Sequence, residues 1–141
     1  MFQVRPFVER DRRALEGIYR ACRSEATWLP GATKAREADF QHDTDGETLF
    51  VAVGANDEPC GFISVWEPDA FIHHLYVKSD SQGKGIGGSL LGFLVGRIPM
   101  PWRLKCLRAN ANAMAFYAAK GWIEVGAGSG EDGPYAVMER R

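Results

Sequence analysis

No run of apolar residues in this 141-residue chain approaches the length of a bilayer-spanning helix, about 18 residues or more. The N-terminus has no basic-then-apolar signal pattern. Together these absences predict a cytoplasmic protein with no membrane partner. Paired cysteines are missing as well. Cys22, Cys60 and Cys106 are odd in number and far apart, with no Cys-x-x-Cys and no Cys/His cluster. The sequence therefore offers no disulfide framework and no metal site, and the three read as reduced, mostly buried thiols, with a free nucleophilic cysteine as the sharper alternative. An excess of either charge is also lacking. A formal net charge of −1 argues against a non-specific nucleic-acid surface. No internal repeat or linker-like stretch interrupts the chain, so residues 1–141 read as one domain.

One absence is local. Residues 81–123 contain no Asp or Glu but carry Lys84, Arg97, Arg103, Lys105, Arg108 and Lys120, whereas residues 1–80 hold 14 acids against 9 bases. Such a block suits a phosphate-rich ligand; a chance gap on a solvated face is the plain alternative. The block begins at Gln82-Gly83-Lys84-Gly85-Ile86-Gly87-Gly88-Ser89, between an apolar run from Phe71 to Val77 and another from Leu90 to Val95. A glycine-rich turn that opens a helix directs several backbone N–H groups into one small volume. Those donors and the helix dipole favour an anion, usually a phosphate.

The rest of the chain supplies a setting for that turn. Gln3 to Phe7 reads as a strand. Leu15, Ile18, Tyr19 and Cys22 fall at i, i+3, i+4 and i+7, so residues 9–24 read as an amphipathic helix, with Glu9 or Asp11 at its start. A weaker helix covers 33–42. Strands follow at 48–53, 61–66 and 70–78, joined by turn-rich connections. A helix over 85–97 ends at Pro99 and Pro101, a strand covers 102–107, and an alanine-rich helix over 111–120 stops at Gly121. Residues 122–125 and 135–139 are strands, with 126–133 as a flexible link. A hairpin meander followed by crossover helices predicts a mixed sheet with helices on both faces.

Gly83, Gly85 and Gly88 formally satisfy G-x-G-x-x-G, but a dinucleotide site needs an acid about 20 residues on, and none occurs before Glu124. A P-loop is excluded because Lys78 stands where its first glycine would be. A glycine turn without a ligand would carry an entropic cost with no packing return.

The stretch Leu75-Tyr76-Val77-Lys78-Ser79-Asp80-Ser81-Gln82-Gly83-Lys84-Gly85-Ile86-Gly87 resembles the cofactor motif of the GCN5-related N-acetyltransferases, [QR]-x-x-G-x-[GA] after an apolar strand, filled here by Gln82, Gly85 and Gly87. A second block, Asn110 to Trp122, is similar to the family's N-x-x-A-x-x-x-Y-x-x-x-G-F. Ser79 stands where proline is common and Trp122 where phenylalanine is common. The resemblance covers nearly the whole chain, with residues 20–45 matching only in element order. It implies an α/β (α+β) fold with a largely antiparallel central sheet of six to seven strands.

The resemblance further implies an acetyltransferase that uses acetyl-CoA and moves an acetyl group to a primary amine by direct attack in a ternary complex. A non-catalytic acyl-CoA-binding module of the same fold is the alternative. The N–H groups of about Gln82, Gly83, Lys84, Gly85, Ile86, Gly87, Gly88 and Ser89 would cradle the pyrophosphate. Lys84 either steers the phosphates or is merely solvated. Leu75, Tyr76 and Val77 would pair with the pantetheine amides through a bulged, splayed strand edge, and an N–H near Leu75 or Tyr76 would polarise the thioester carbonyl. Tyr117 is the implied general acid. Asn110 hydrogen-bonds the cofactor or fixes the turn before its helix, and Asn112 is the alternative helix cap. The family has no fixed general base. His73 and His74 are the candidates here, and strand alternation puts them on opposite faces. Glu67, Asp69 and Glu25 are weaker candidates. Trp28, Leu29, Trp66 and Phe71 are expected to line the acceptor pocket. The acceptor itself is a small-molecule or peptide amine, and the last strands, 122–139, are where relatives form homodimers.

Overall fold

A computed structural model describes residues 2–26 and 39–141. Seven strands form one sheet: β1 (Gln3–Pro6), β2 (Thr48–Val53), β3 (Pro59–Trp66), β4 (Phe71–Val77), β5 (Trp102–Leu107), β6 (Ile123–Gly130) and β7 (Gly133–Arg140). Their spatial order is β1-β2-β3-β4-β5-β7-β6. All neighbours are antiparallel except β4 and β5, which run parallel. The helices are α1 (Arg12–Glu25), α2 (Phe40–Asp43), α3 (Ile86–Phe93) and α4 (Ala111–Ala119).

Alternation along β2 and β3 divides the core between two faces. Val51, Val53 and Phe62 pack with Leu15, Ile18 and Tyr19 of α1 and Phe40 of α2. Phe50, Ala52, Ile63 and Val65 pack with Ile86, Leu90 and Leu91 of α3 and Tyr117 of α4. Helices thus cover both faces, as the element order predicts. Burying each of these large apolar side chains contributes about 2 kcal/mol. The start of α1 is tied to β1 by charge: Asp11, 2% exposed, accepts from Arg5 Nη1 and Nη2 at 2.8 and 2.9 Å and from the Val8 N–H at 3.0 Å. These bonds, the Arg5 guanidinium first, hold the Asp11 carboxyl below its usual range.

Three elements differ from the sequence reading. The expected helix over 85–97 leaves α-geometry at Phe93. Beyond it the N–H groups of Leu94, Val95 and Arg97 donate three residues back, and Gly96 adopts φ +82°. The expected flexible link at 126–133 is mostly strand, since β6 runs to Gly130. Its glycines make room for Tyr135 opposite: a Cβ on Gly128 would lie 2.4 Å from Tyr135 Oη. Of the helix expected over 33–42, the described part is α2, capped by the Asp39 side chain, which accepts from the His42 N–H at 3.1 Å; residues 33–38 lie outside the described residues. Of the three thiols, Cys106 is buried as expected, while Cys22 and Cys60 are half-buried. Burial pushes Cys22 and Cys106 up to about 11 and raises Cys60, so none is a ready nucleophile. No helix among the described residues is long and apolar enough to cross a membrane.

Candidate active site

The site begins with a defect in the sheet. Ser64 pairs with His74 and Val65 with Ile72, so β4 carries one extra residue, His73. On its other edge β4 pairs with β5 only at Phe71–Arg103 and Ile72–Leu104. From His74 to Val77 the β5-facing edge has no strand partner among the described residues. The one parallel pair of the sheet, β4 and β5, thus opens into a V, and the opened backbone is available to a ligand with amide groups.

The glycine turn stands beside that edge. The Ser81 N–H donates to Lys78 O at 2.9 Å, and the Ser89 N–H to Gly85 O at 3.0 Å. Between them, the N–H groups of Gln82 to Gly88 meet no acceptor among the described residues. Ser89 therefore contributes no backbone donor, which shortens the predicted cradle by one residue. Gly83 and Gly85 adopt φ of +79° and +82°, a conformation that disfavours side chains and aims these donors to one side. The Gln82 side chain braces the turn by donating from Nε2 to Val77 O at 3.1 Å.

The V and the turn enclose a groove of about 400 Å³. Leu75 and Val77 of β4 line it, with Gln82, Gly83, Gly85, Ile86, Gly87 and Gly88 of the turn and α3 start, and Asn112, Phe116, Tyr117 and Lys120 of the α4 region. Tyr76 turns the other way, edge-on to Tyr19 at 5.4 Å, so any part it plays in the groove is through its backbone. Lys84 is exposed and lies outside the lining. Asn110 caps α4, its Oδ1 accepting from the Ala113 N–H at 3.1 Å; Asn112, the alternative cap in the sequence, lines the groove instead.

Tyr117 is 9% exposed, with Trp122 and Phe116 rings 5.4 and 5.2 Å from its own. Its hydroxyl has no partner among the described residues. Burial drives its pKa well above the ordinary phenol value, so it holds its proton throughout the neutral range.

A second hollow, about 370 Å³, lies at the apex of the V and is lined by Trp66, Asp69, Phe71, Ile72, His73 and Lys105. The expected aromatics Trp66 and Phe71 are thus brought together; Trp28 and Leu29 lie outside the described residues. Glu67 instead accepts from the Thr48 hydroxyl, and Glu25 lies on α1, away from this hollow.

The bulge overturns the expectation that His73 and His74 face opposite ways. The extra residue breaks alternation, and both imidazoles come with Glu47 into one cluster whose ligating atoms lie within 4.8 Å of one another. His74 Nε2 is 3.3 Å from Asp43 O, and its ring lies 5.3 Å from that of Tyr19. Burial holds its pKa below the ordinary imidazole value, against the opposing pull of Glu47. His73 is the exposed member and lines the hollow.

Glu47 and Lys120 were not singled out in the sequence. The charge block contains Lys120, but only the fold brings it to the glycine turn: a Cβ on Gly88 would stand 3.1 Å from Lys120 Nζ. With the groove holding the acetyl-CoA that the resemblance implies, Lys120→Ala is expected to raise the KM for it about five-fold, or about 1 kcal/mol, with kcat within about two-fold. Steady-state kinetics against the cofactor checks it; an unchanged KM removes Lys120 from the phosphate site.

The family model of the acetyltransferase (GNAT) domain matches residues 16–138, so the chain belongs to the GNAT acetyltransferase family. A search of curated proteins found no match by sequence. Among solved structures the fold is similar to the apo form of YjaB from Escherichia coli, with 19% identity over 99% of this chain and 97% of that one and a TM-score of 0.77. It is also similar to YncA from Salmonella typhimurium, solved with its cofactor acetyl-CoA, at 16% identity over 100% and 94% and a TM-score of 0.75. A ribosomal-protein-alanine N-acetyltransferase from Brucella melitensis gives 20% identity, 98% coverage of both chains and a TM-score of 0.74.

Proposed function

We propose that this protein is an acetyl-CoA-dependent N-acetyltransferase that acetylates a primary amine by direct attack in a ternary complex. The observation that carries the reading is the junction of the opened β4 edge with the seven N–H groups of Gln82 to Gly88, both without partners among the described residues. A linear ligand with amides at one end and a pyrophosphate at the other matches both halves. Gly87 leaves it room, since a Cβ there would already lie 3.4 Å from Phe116.

Acetyl-CoA supplies the acetyl group as a thioester, so that a C–N bond forms as the C–S bond breaks and coenzyme A leaves as a thiol. The turn and Lys120 hold the phosphates. The backbone of Leu75, Tyr76 and Val77 orients the pantetheine arm. Tyr117 holds a proton at Oη on the groove wall, available to the leaving sulfur. His73, in the apical hollow, takes the proton of the incoming ammonium. His74 is unsuited to that role, because it is screened behind Tyr19 and Tyr76 and its Nε2 faces a backbone carbonyl. Asp69 in the hollow favours a cationic acceptor, and Trp66 and Phe71 give its stem an apolar wall. A second copy of the chain would meet β6, the sheet edge that exposes Ile123 and Val125.

An acceptor screen that detects free coenzyme A thiol tests the reading. Amine-dependent thiol release is expected from at least one panel of small amines and peptides. Saturable acetyl-CoA binding with no release on any amine would instead make the protein an acyl-CoA-binding module.

A further inference from the structure

The bulge that opens β4 also assembles a charge pair at the apical hollow. Glu47 lies just before β2, and its side chain is 3% exposed, whereas that of His73 is 47% exposed. Glu47 Oε2 faces His73 Nδ1. The other carboxylate oxygen, Oε1, is buried and has no partner among the described residues. A buried carboxylate is costly unless donors or positive charge meet it. Among the described residues the imidazole of His73 is the one side chain hydrogen-bonded to it, with that of His74 close by.

That arrangement has two chemical consequences. A carboxylate on Nδ1 selects the tautomer with hydrogen on Nδ1 and leaves the lone pair on Nε2, the nitrogen that no described residue bonds. It also stabilises the imidazolium that forms when Nε2 accepts a proton, in the manner of an acid behind a general-base histidine. Among the described residues, Asp69 and Lys105 share the ring's hollow, and the His74 ring is 5.8 Å away.

We infer that Glu47 is the positioning residue of the acetyl-transfer base, holding His73 so that its Nε2 receives the proton of the acceptor ammonium. The inference rests on the acetyltransferase reading above. In the step itself an acceptor N–H bond breaks and the His73 Nε2–H bond forms. The positive charge moves from the acceptor onto a ring already facing Glu47, and the proton later passes to solvent. Glu47 keeps its charge throughout.

Kinetics and nitrogen-15 NMR of the imidazoles test this together. Glu47→Gln is expected to lower kcat/KM for an accepted amine about 30-fold at neutral pH and to leave acetyl-CoA affinity within about two-fold. The double variant with His73→Gln loses no more than His73→Gln alone, because Glu47 acts through the histidine. Additive losses, or a wild-type kcat/KM in Glu47→Gln, overturn the proposal. So does activity lost in a chelator and restored by zinc, which would make Glu47, His73 and His74 a metal site. NMR reads the pair without turnover: neutral His73 in the wild-type protein is expected as the Nδ1–H tautomer, and the Nε2–H tautomer overturns the pairing. If no amine is acetylated but the Nδ1–H tautomer is present, the transferase reading fails and the pair stands only as structure.

Discussion

Tyr117→Phe is expected to lower kcat about 100-fold while the KM for acetyl-CoA stays within about two-fold, because a positioned general acid contributes about two to four orders of magnitude to rate. The substitution keeps the ring, and with it the contacts to Phe116 and Trp122, and removes the one hydroxyl on the groove wall that has no partner among the described residues. The pH dependence has a definite sign. An acid works below its pKa, and burial raises that of Tyr117, so the phenol stays protonated as the pH climbs through 8 and 9. The loss in Tyr117→Phe should therefore be uniform from about pH 6 to about pH 9. Equal rates for variant and wild type at every pH would remove Tyr117 from the chemistry.

Gly61→Ala should damage both halves of the groove at once. Gly61 pairs with Val77 in the β3–β4 ladder, and a Cβ there would lie 2.9 Å from Tyr76 O and 3.4 Å from both Val77 Cα and Ile86 Cγ2. Two of those neighbours are backbone atoms of β4 on its β3 side, opposite the opened edge, and the third belongs to the first residue of α3. Relief requires β4 to move, at a cost of about 2 kcal/mol and a fall in Tm of about 6 °C. The same movement should weaken acetyl-CoA binding about ten-fold or more. Gly92→Ala is the control: it lies in α3 where a Cβ meets nothing within 4 Å, and alanine there favours the helix. If Gly61→Ala binds the cofactor as tightly as Gly92→Ala does, β3 does not set the shape of the groove.

The residues that the sequence exposed most clearly are those proposed to act through backbone. Gln82 to Gly88 are contiguous, and their glycines announce a donor-rich turn without any knowledge of the fold. The Asn110 to Trp122 block is equally local, and Tyr117 falls where its helix meets the groove. Contacts between distant segments were beyond such a reading. Glu47 and His73 are 26 positions apart and meet only because β4 carries an extra residue, which also defeats the alternation rule for His74. Lys120 reaches the turn because Gly88 has no side chain in the way. Gly126, Gly128 and Gly130 suggest a loose link by composition. In the fold they are a strand, because Tyr135 and Val137 occupy the space their missing side chains leave.

The parallel seam between β4 and β5 has a consequence for the life of the protein as well as its chemistry. Two residue pairs join those strands, against six between β5 and β7. A sheet is ordinarily most cohesive at its middle; this one is least cohesive there, with β1 to β4 on one side and β5, β7 and β6 on the other. A molecule lodged along the open edge of β4 would act as a splint across the break. At a hundred times its Kd it would add about 2.7 kcal/mol to the folded state. Backbone amide exchange in β5 should slow markedly when acetyl-CoA is saturating, and unchanged exchange there would separate binding from stability. With that linkage, the donor does more than feed the reaction. Its abundance would set how long each copy of the enzyme survives opening and proteolysis, so that enzyme level and acetyl supply rise and fall together.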